Sequence, residues 1–360
     1  MVTKIIIISI AIILHVALSE SNGFATADII ARMDQCAKIE KDAERLKCFD
    51  EITGKKPFIK TDKKSAPLKT TESRITPEEK RIQPDISLET PKSSVISKRW
   101  ELDAQSRKNA PIIRIHRSNY ILPVAYNSSL NKSPILDVDR NAKAQNTEAK
   151  FQISFKVKLL EDIMDKNVDL WFGYTQLAFW QLYNSTFSSP FRETDYEPEL
   201  LLNFRTDYDF LGMKGRTINI GLNHQSNGRA QPLSRSWNRI VANFGFEKDD
   251  FNLLFKTWYR IPENSSDDDN PDINQYMGYG EIWGTYFWKR HKFSAMFRNN
   301  LRFNENRNTL QFDWNFPIPY LKSDRISGYI QYFNGYGESL IDYNTNSNRI
   351  GIGFMLTDWN

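Results

Sequence analysis

From Ser118 to the carboxyl end the chain repeats one pattern: eight to thirteen residues alternating apolar with polar, then a turn or loop rich in Asn, Asp, Gly, Ser or Pro. Alternation with a period of two puts unlike residues on the two faces of a β-strand. Leu310, Phe312, Trp314 and Phe316 stand against Gln311, Asp313 and Asn315. Leu200, Leu202 and Phe204 oppose Asn203 and Arg205, and Ile350, Ile352, Phe354 and Leu356 oppose the small Gly351 and Gly353. The runs fall at about 120–126, 151–159, 168–181, 199–209, 217–226, 236–247, 251–260, 279–288, 293–300, 308–317, 326–333 and 349–357. Their number is even, as single-chain bacterial barrels require. The pattern predicts an all-β fold over 118–360, a twelve-stranded antiparallel transmembrane β-barrel with its apolar face turned to lipid. A soluble β-sandwich also alternates, but its inward faces must be apolar, and here one face of several runs carries charge. Closure would also remove the unpaired edges that hydrocarbon penalises.

Composition supports this reading. Of 23 Phe, 9 Trp and 15 Tyr, only Phe24, Phe49, Phe58 and Trp100 precede residue 118, so the aromatics are concentrated where girdles would lie. A mean hydropathy of −0.55 excludes a helical membrane bundle. No apolar run beyond the first 20 residues reaches the ~18 needed for a spanning helix. Lys and Arg total 48 against 44 Asp and Glu, a net charge of +4, too balanced for a dedicated nucleic-acid partner.

The first third of the chain reads differently. Lys4, the mostly apolar Ile5 to Ala17 and the small residues around Ala17-Leu18-Ser19 predict a secretory signal peptide over 1–19, with Ala25-Thr26-Ala27 as a second candidate cut. Export makes an oxidising compartment, where the only cysteines, Cys36 and Cys48, are expected to pair and staple a small helical module over 20–52. A metal site there would want more ligands than cluster nearby. Residues 53–117 read as a flexible linker, since 53–100 hold 12 Lys/Arg, 6 Asp/Glu and 5 Pro with few large apolar groups. That basic stretch is either a solvated tether or a weak contact for anionic lipid or cell wall.

Polar residues on the outward parity carry the chemistry. Ile218, Ile220 and Leu222 continue by twos to His224 and Ser226, and Phe246, Phe244, Ala242 and Ile240 step back to Asn238. A hairpin turning near Gln231-Pro232 pairs residue i with about 462 − i, so His224 should lie opposite Asn238 near one membrane rim. A serine hydroxyl becomes a nucleophile when an imidazole takes its proton, and a third group must fix the ring. An aspartate in that role would be costly at the hydrocarbon boundary, whereas asparagine orients the ring without a charge. The bland alternative is that the three merely decorate a polar rim. Gln176, outward after Leu170, Phe172 and Tyr174, either meets a second copy of the chain or snorkels to the interface. Asp267 to Asp269 read first as a solvated acidic loop, with calcium the minority option.

Several motifs resemble the outer-membrane phospholipase A family of Gram-negative bacteria. They are Asn223-His224-Gln225-Ser226-Asn227-Gly228-Arg229 with Ser234-Arg235-Ser236-Trp237-Asn238-Arg239, Ser188 to Thr194, Tyr196-Glu197-Pro198, Asp268 to Asp272, and Gly335 to Tyr343. The resemblance covers about 118–360 and implies a twelve-stranded barrel in the outer membrane, its N-terminal segment periplasmic. It implies Ser226 as nucleophile, His224 as general base and acid, Asn238 as orienter, and Gly228 as an oxyanion-hole donor. It further implies Ca²⁺ at an active homodimer interface, bound by the Arg229 carbonyl, the Ser234 side chain and Ser188 of the partner subunit, with Gln176 bridging the dimer. The implied substrates are phospholipids and lysophospholipids, the monomer being latent. Gln225 and Gln231 stand where the best-known form carries aspartates, which removes a charge from a weaker calcium site of monomers. The rival is a non-enzymatic pore or surface-interaction barrel, for which inward Arg205, Asp207, Lys256 and Asp313 would provide a wet lumen.

Overall fold

A computed structural model of the chain describes residues 94–107, 112–138, 143–163, 166–319, 321 and 325–358, together with Cys36, Ile39, Lys41, Glu44 and Cys48. Its strands are β1 (Ile113–Ile115), β2 (Tyr120–Asn127), β3 (Thr147–Leu160), β4 (Val168–Trp180), β5 (Phe191–Phe210), β6 (Met213–Ser226), β7 (Ser236–Lys248), β8 (Phe251–Ile261), β9 (Gly280–Trp288), β10 (His291–Asn299), β11 (Asn308–Phe316), β12 (Ile326–Gly335) and β13 (Ser347–Leu356). Each pairs antiparallel with its neighbours, and the β3–β4 and β2–β13 ladders close the sheet on itself. β1 and β2 both lie along β3, with Ile113 opposite Val157 and Tyr120 opposite Gln152. They are two halves of one strand interrupted at 116–119, so the barrel has the expected twelve strands.

Burial runs opposite to that of a soluble domain. Ile220, Leu222, Ile240, Phe312 and Ile352 are exposed on the outer face, while Glu148, Lys150, Asp169, Arg192, Glu199 and Arg349 are buried inside. This inversion is what lipid outside and a polar interior require, and it excludes the sandwich. One rim has two-residue turns at 211–212, 249–250 and 289–290, whose first residues Leu211, Asp249 and Lys289 adopt positive φ of 52°, 51° and 56°. Left-handed residues at this place let a tight turn follow the strand twist. The opposite rim carries the longer loops 128–146, 181–190, 227–235, 262–279, 300–307 and 336–346, the arrangement of extracellular loops over periplasmic turns.

The expected boundary at 118 needs correction. Residues 94–117 belong to the barrel unit. Helix α1 (Val95–Trp100) begins at Ser94, whose side chain accepts the Ser97 N–H at 3.1 Å, and ends where Glu101 turns left-handed; α2 (Ala104–Arg107) follows. Trp100 joins a buried cluster with Trp171, Leu201, Trp237 and Trp258, and Lys156 Nζ sits 3.1 Å from the centre of its ring. Arg114 pairs with Glu101 and Arg117 with Glu197 and Glu199. Linker-like composition misleads here because the barrel supplies most of the apolar surface that α1 buries. The remainder of the expected linker, 53–93, and the signal peptide over 1–19 lie outside the described residues. Of the module expected over 20–52, the Cys36–Cys48 disulfide is formed.

Ion pairs fill the interior. Lys150 pairs with Glu338 at 2.9 Å, Arg349 with Glu148 at 2.9 Å, Lys256 with Glu281 at 2.8 Å and Arg239 with Glu197 at 3.0 Å. Charges withdrawn from water are tolerable when paired in this way. A cavity of about 330 Å³ remains among Trp100, Lys150, Lys256, Glu281 and Asp313. If α1 is an integral plug, Trp100→Ala should cost about 3–5 kcal/mol. The urea concentration at which the folded, fast-migrating barrel is lost on a gel should then fall, whereas an unchanged midpoint would deny α1 a structural role.

Candidate active site

β6 and β7 meet in the expected register, with Ile220 opposite Ala242, His224 opposite Asn238 and Ser226 opposite Ser236. The exposed outward residues Ile220, Leu222 and Ile240 lead up the hairpin to His224, Ser226 and Asn238, all half-buried. His224 Nδ1 lies 2.9 Å from Asn238 Oδ1. Since an amide oxygen only accepts, the ring donates Nδ1–H and keeps Nε2 for another partner. Ser226 is two residues along the same face, about 6.5–7 Å away at Cα. His224, Ser226 and Asn238 therefore share the lipid-facing side, with the contact between His224 and Asn238 formed.

The other end of the Asn238 amide is also engaged. Its Nδ2 donates to Glu263 Oε1 at 2.8 Å. Glu263 was not among the sequence candidates, although a signal for it existed. Asn238 pairs with Ile261 of β8, and the outward parity Tyr259, Ile261 continues to 263; the seventh predicted run ends at 260. Burial pushes the Glu263 carboxyl above the ordinary range; the Asn238 N–H opposes this, the Asp268 charge adds to it, Arg260 opposes it and Asp269 adds to it.

The loop between β6 and β7 is tied down from within. Asn227 donates to Glu193 and to the Leu233 carbonyl, and its oxygen accepts the N–H groups of Arg229 and Arg235. Gly228 has φ +65°, and a Cβ there would meet the Tyr196 ring at 3.3 Å, so glycine suits the position on two counts. The Arg229 guanidinium pairs with Glu193 at 3.1 Å. The Ser234 hydroxyl and the Gln231 amide both donate to Asp269. Arg229 and Ser234 thus share one loop, while Ser188 is exposed on the separate loop after β4, just past the 3-10 turn Ser185–Phe187. The acidic loop is more engaged than a solvated one, since Asp268 also binds Arg260 at 2.6 Å. Among the described residues no three His, Cys, Asp or Glu side chains gather as a metal cluster. Gln176 faces outward between Ile153 and Tyr196, receiving the Tyr174 hydroxyl at 3.4 Å.

The remaining motifs build the rim around this loop. Arg192 is buried against Glu148 and Asp342, Glu193 accepts the Ile341 N–H at 3.1 Å, and Asn270 accepts the Ser236 N–H at 3.0 Å. Their loops converge on the hairpin that carries the trio.

The fold defines a class, a β-barrel of the kind found in the Gram-negative outer membrane, here with a polar trio on its lipid-facing side. The family model described as Phospholipase A1 matches residues 96–356, beginning at α1. Phospholipase A1 of Klebsiella pneumoniae is 41% identical over 254 residues, covering 71% of this chain and 85% of that protein. A putative phospholipase A1 of Neisseria meningitidis is 35% identical over 352 residues and covers 90% of each chain, reaching into the N-terminal third. Among solved structures, outer membrane phospholipase A from Escherichia coli aligns with a TM-score of 0.64 at 39% identity, over 69% of this chain and 99% of that one. The Salmonella typhi outer membrane phospholipase dimer with bound calcium aligns with a TM-score of 0.67 at 36% identity, over 74% and 100%. The chain belongs to the phospholipase A1 family and is an outer-membrane phospholipase.

Because Asn227 holds the loop through four hydrogen bonds, Asn227→Ala should lower phospholipid hydrolysis while leaving the gel mobility of the folded barrel unchanged. Each lost buried bond is worth about 1–3 kcal/mol. Full activity in this variant would show that the loop needs no such clamp.

Proposed function

We propose that the chain is a calcium-dependent outer-membrane phospholipase, activated by dimerisation, that removes acyl chains from phospholipids and lysophospholipids through Ser226, His224 and Asn238. The observation that carries this is the 2.9 Å contact between His224 and Asn238 on the outer, lipid-facing side of the barrel. Polar side chains are costly on that face, and a catalytic trio aimed at lipid gives these a use there. An active-site mutant of the Escherichia coli enzyme replaces an asparagine by alanine, which accords with a catalytic role for an asparagine.

In this mechanism Ser226 Oγ attacks the ester carbonyl carbon as His224 Nε2 takes its proton. Asn238 Oδ1 keeps the Nδ1–H pointed away from the serine and steadies the imidazolium. The N–H of Gly228, whose φ is +65°, is assigned to the developing oxyanion. The imidazolium returns its proton to the leaving alcohol, and the acyl group stays on Ser226 as an ester. Water gives a proton to His224 as it attacks the acyl carbon, and the fatty acid leaves as the imidazolium returns that proton to Ser226 Oγ.

The donor set suits calcium, which prefers neutral and anionic oxygens: the Arg229 carbonyl and Ser234 hydroxyl lie on one short loop, with the Asp269 carboxylate drawn against Ser234. With Ser188 of the partner subunit, these residues would hold the ion between two barrels, and Gln176 would face its counterpart across the same contact. When bound, calcium supplies positive charge that favours the oxyanion. The related Salmonella typhi structure is a dimer with bound calcium, which supports this reading. The pore alternative finds no comparable support, since Lys256 and Arg298 pair with Glu281 inside and α1 packs within the lumen.

Ser226→Ala should reduce hydrolysis in mixed micelles about 10³-fold or more. Asn238→Ala should reduce it less, and chelation of calcium should silence the wild type reversibly. Cross-linked dimers should exceed monomers in specific activity at equal calcium. Hydrolysis that survives the loss of the serine, or that ignores both chelator and assembly, would refute the mechanism.

A further inference from the structure

We propose that Glu263 is a positioning residue for this reaction: it holds the Asn238 amide with its oxygen toward His224 and places a negative charge one hydrogen bond behind it. The inference rests on the reading of Ser226, His224 and Asn238 given above. Two contacts in series carry it, His224 Nδ1 to Asn238 Oδ1 at 2.9 Å and Asn238 Nδ2 to Glu263 Oε1 at 2.8 Å.

An asparagine side chain has two ends of nearly equal size and opposite polarity. Turned the wrong way, its NH₂ would meet the ring nitrogen that must carry a proton, donor against donor. Nothing within the amide prevents that turn. An ionised carboxylate at the far end does, because it accepts and never donates. Glu263 is half-buried at the first outward position beyond β8, diagonal to Asn238 across the β7–β8 ladder.

The same contact explains why a neutral residue can occupy position 238. In the familiar arrangement a carboxylate touches the imidazole directly. Here the carboxylate stands one amide away, where it polarises Asn238 and strengthens both hydrogen bonds of the chain. It also governs which residue position 238 tolerates. An aspartate there would press against Glu263, and two adjoining carboxylates cannot both ionise without a large penalty. Asp268 and Asp269 already lie close enough to act on Glu263, with Arg260 the opposing charge. Asparagine at 238 and glutamate at 263 therefore form a matched pair. A merely structural hydrogen bond would not tie the identity of one residue to the charge of the other.

The test compares full-length wild type with S226A, E263L, N238D and the double variant N238D/E263Q, assayed with calcium in phospholipid mixed micelles. Each is first checked for folded-barrel mobility on a gel. Glu263→Leu should lower kcat about tenfold or more with little change in KM, the loss typical of one charge-assisted hydrogen bond. Asn238→Asp should lose activity as well. Adding Glu263→Gln to it should restore at least tenfold, because glutamine donates to the new aspartate and leaves its second oxygen for His224. Should Glu263→Leu fail to fold, the rescue decides alone. Wild-type kcat in E263L, or an unrescued double variant, with S226A inactive, would overturn the role of Glu263 while sparing the trio. Activity in S226A would overturn both.

Discussion

Hydrocarbon offers no hydrogen bonds, and the rest of this molecule follows from that. Every strand must satisfy its backbone through its neighbours, so the sheet has to close, and its outer face has to be apolar. Closure is visible in the β3–β4 and β2–β13 ladders, and the outer surface is a continuous display of Ile, Leu and aromatic residues. Against such a background a polar outward side chain is costly. His224 and Asn238 are tolerable because they sit near the loop rim, bond to each other and, through Asn238, reach Glu263. A chemistry directed at lipid needs its reactive groups on that outer surface, where the substrate's acyl chains lie.

The interior serves the site indirectly. Arg239, at the fourth rung of the β6–β7 ladder below the loop, pairs with Glu197 and Asn223, which underlie the hairpin. Arg192 and Glu193 anchor the loop of 336–346 and the turn at Asn227 to the same wall. α1 seals the other end against Trp171. The lumen is thereby packed with ion pairs and with the aromatic cluster around Trp171, which back the strands that carry the outer side chains.

Much of this was legible in the sequence, and for a definite reason. A period of two assigns faces, and a hairpin register assigns partners, so the pairing of His224 with Asn238 follows from alternation and one turn. The twelve runs match the barrel strands for the same reason. What escaped has equally definite causes. The segment 94–117 has the composition of a linker because its burial is supplied by other parts of the chain, although Ser94 before Val95 and Ile96 was a readable helix start. Glu263 escaped because the seventh run closes at 260, short of the outward positions 261 and 263. The motifs around Arg192, Asn270 and Asp342 could be read from the resemblance, but their work as rim anchors depends on contacts between distant loops that alternation does not encode.

The central claim is that a reactive serine, activated by His224, faces lipid. A fluorescent phosphonate ester with a long acyl chain, offered to the protein in calcium-containing liposomes, tests it most directly. The account predicts a single covalent adduct on Ser226, lost in His224→Ala, whose fluorescence is quenched by nitroxide-labelled lipids and shielded from iodide in water. An adduct on another residue, or one on Ser226 quenched by iodide and untouched by the lipid label, would contradict it.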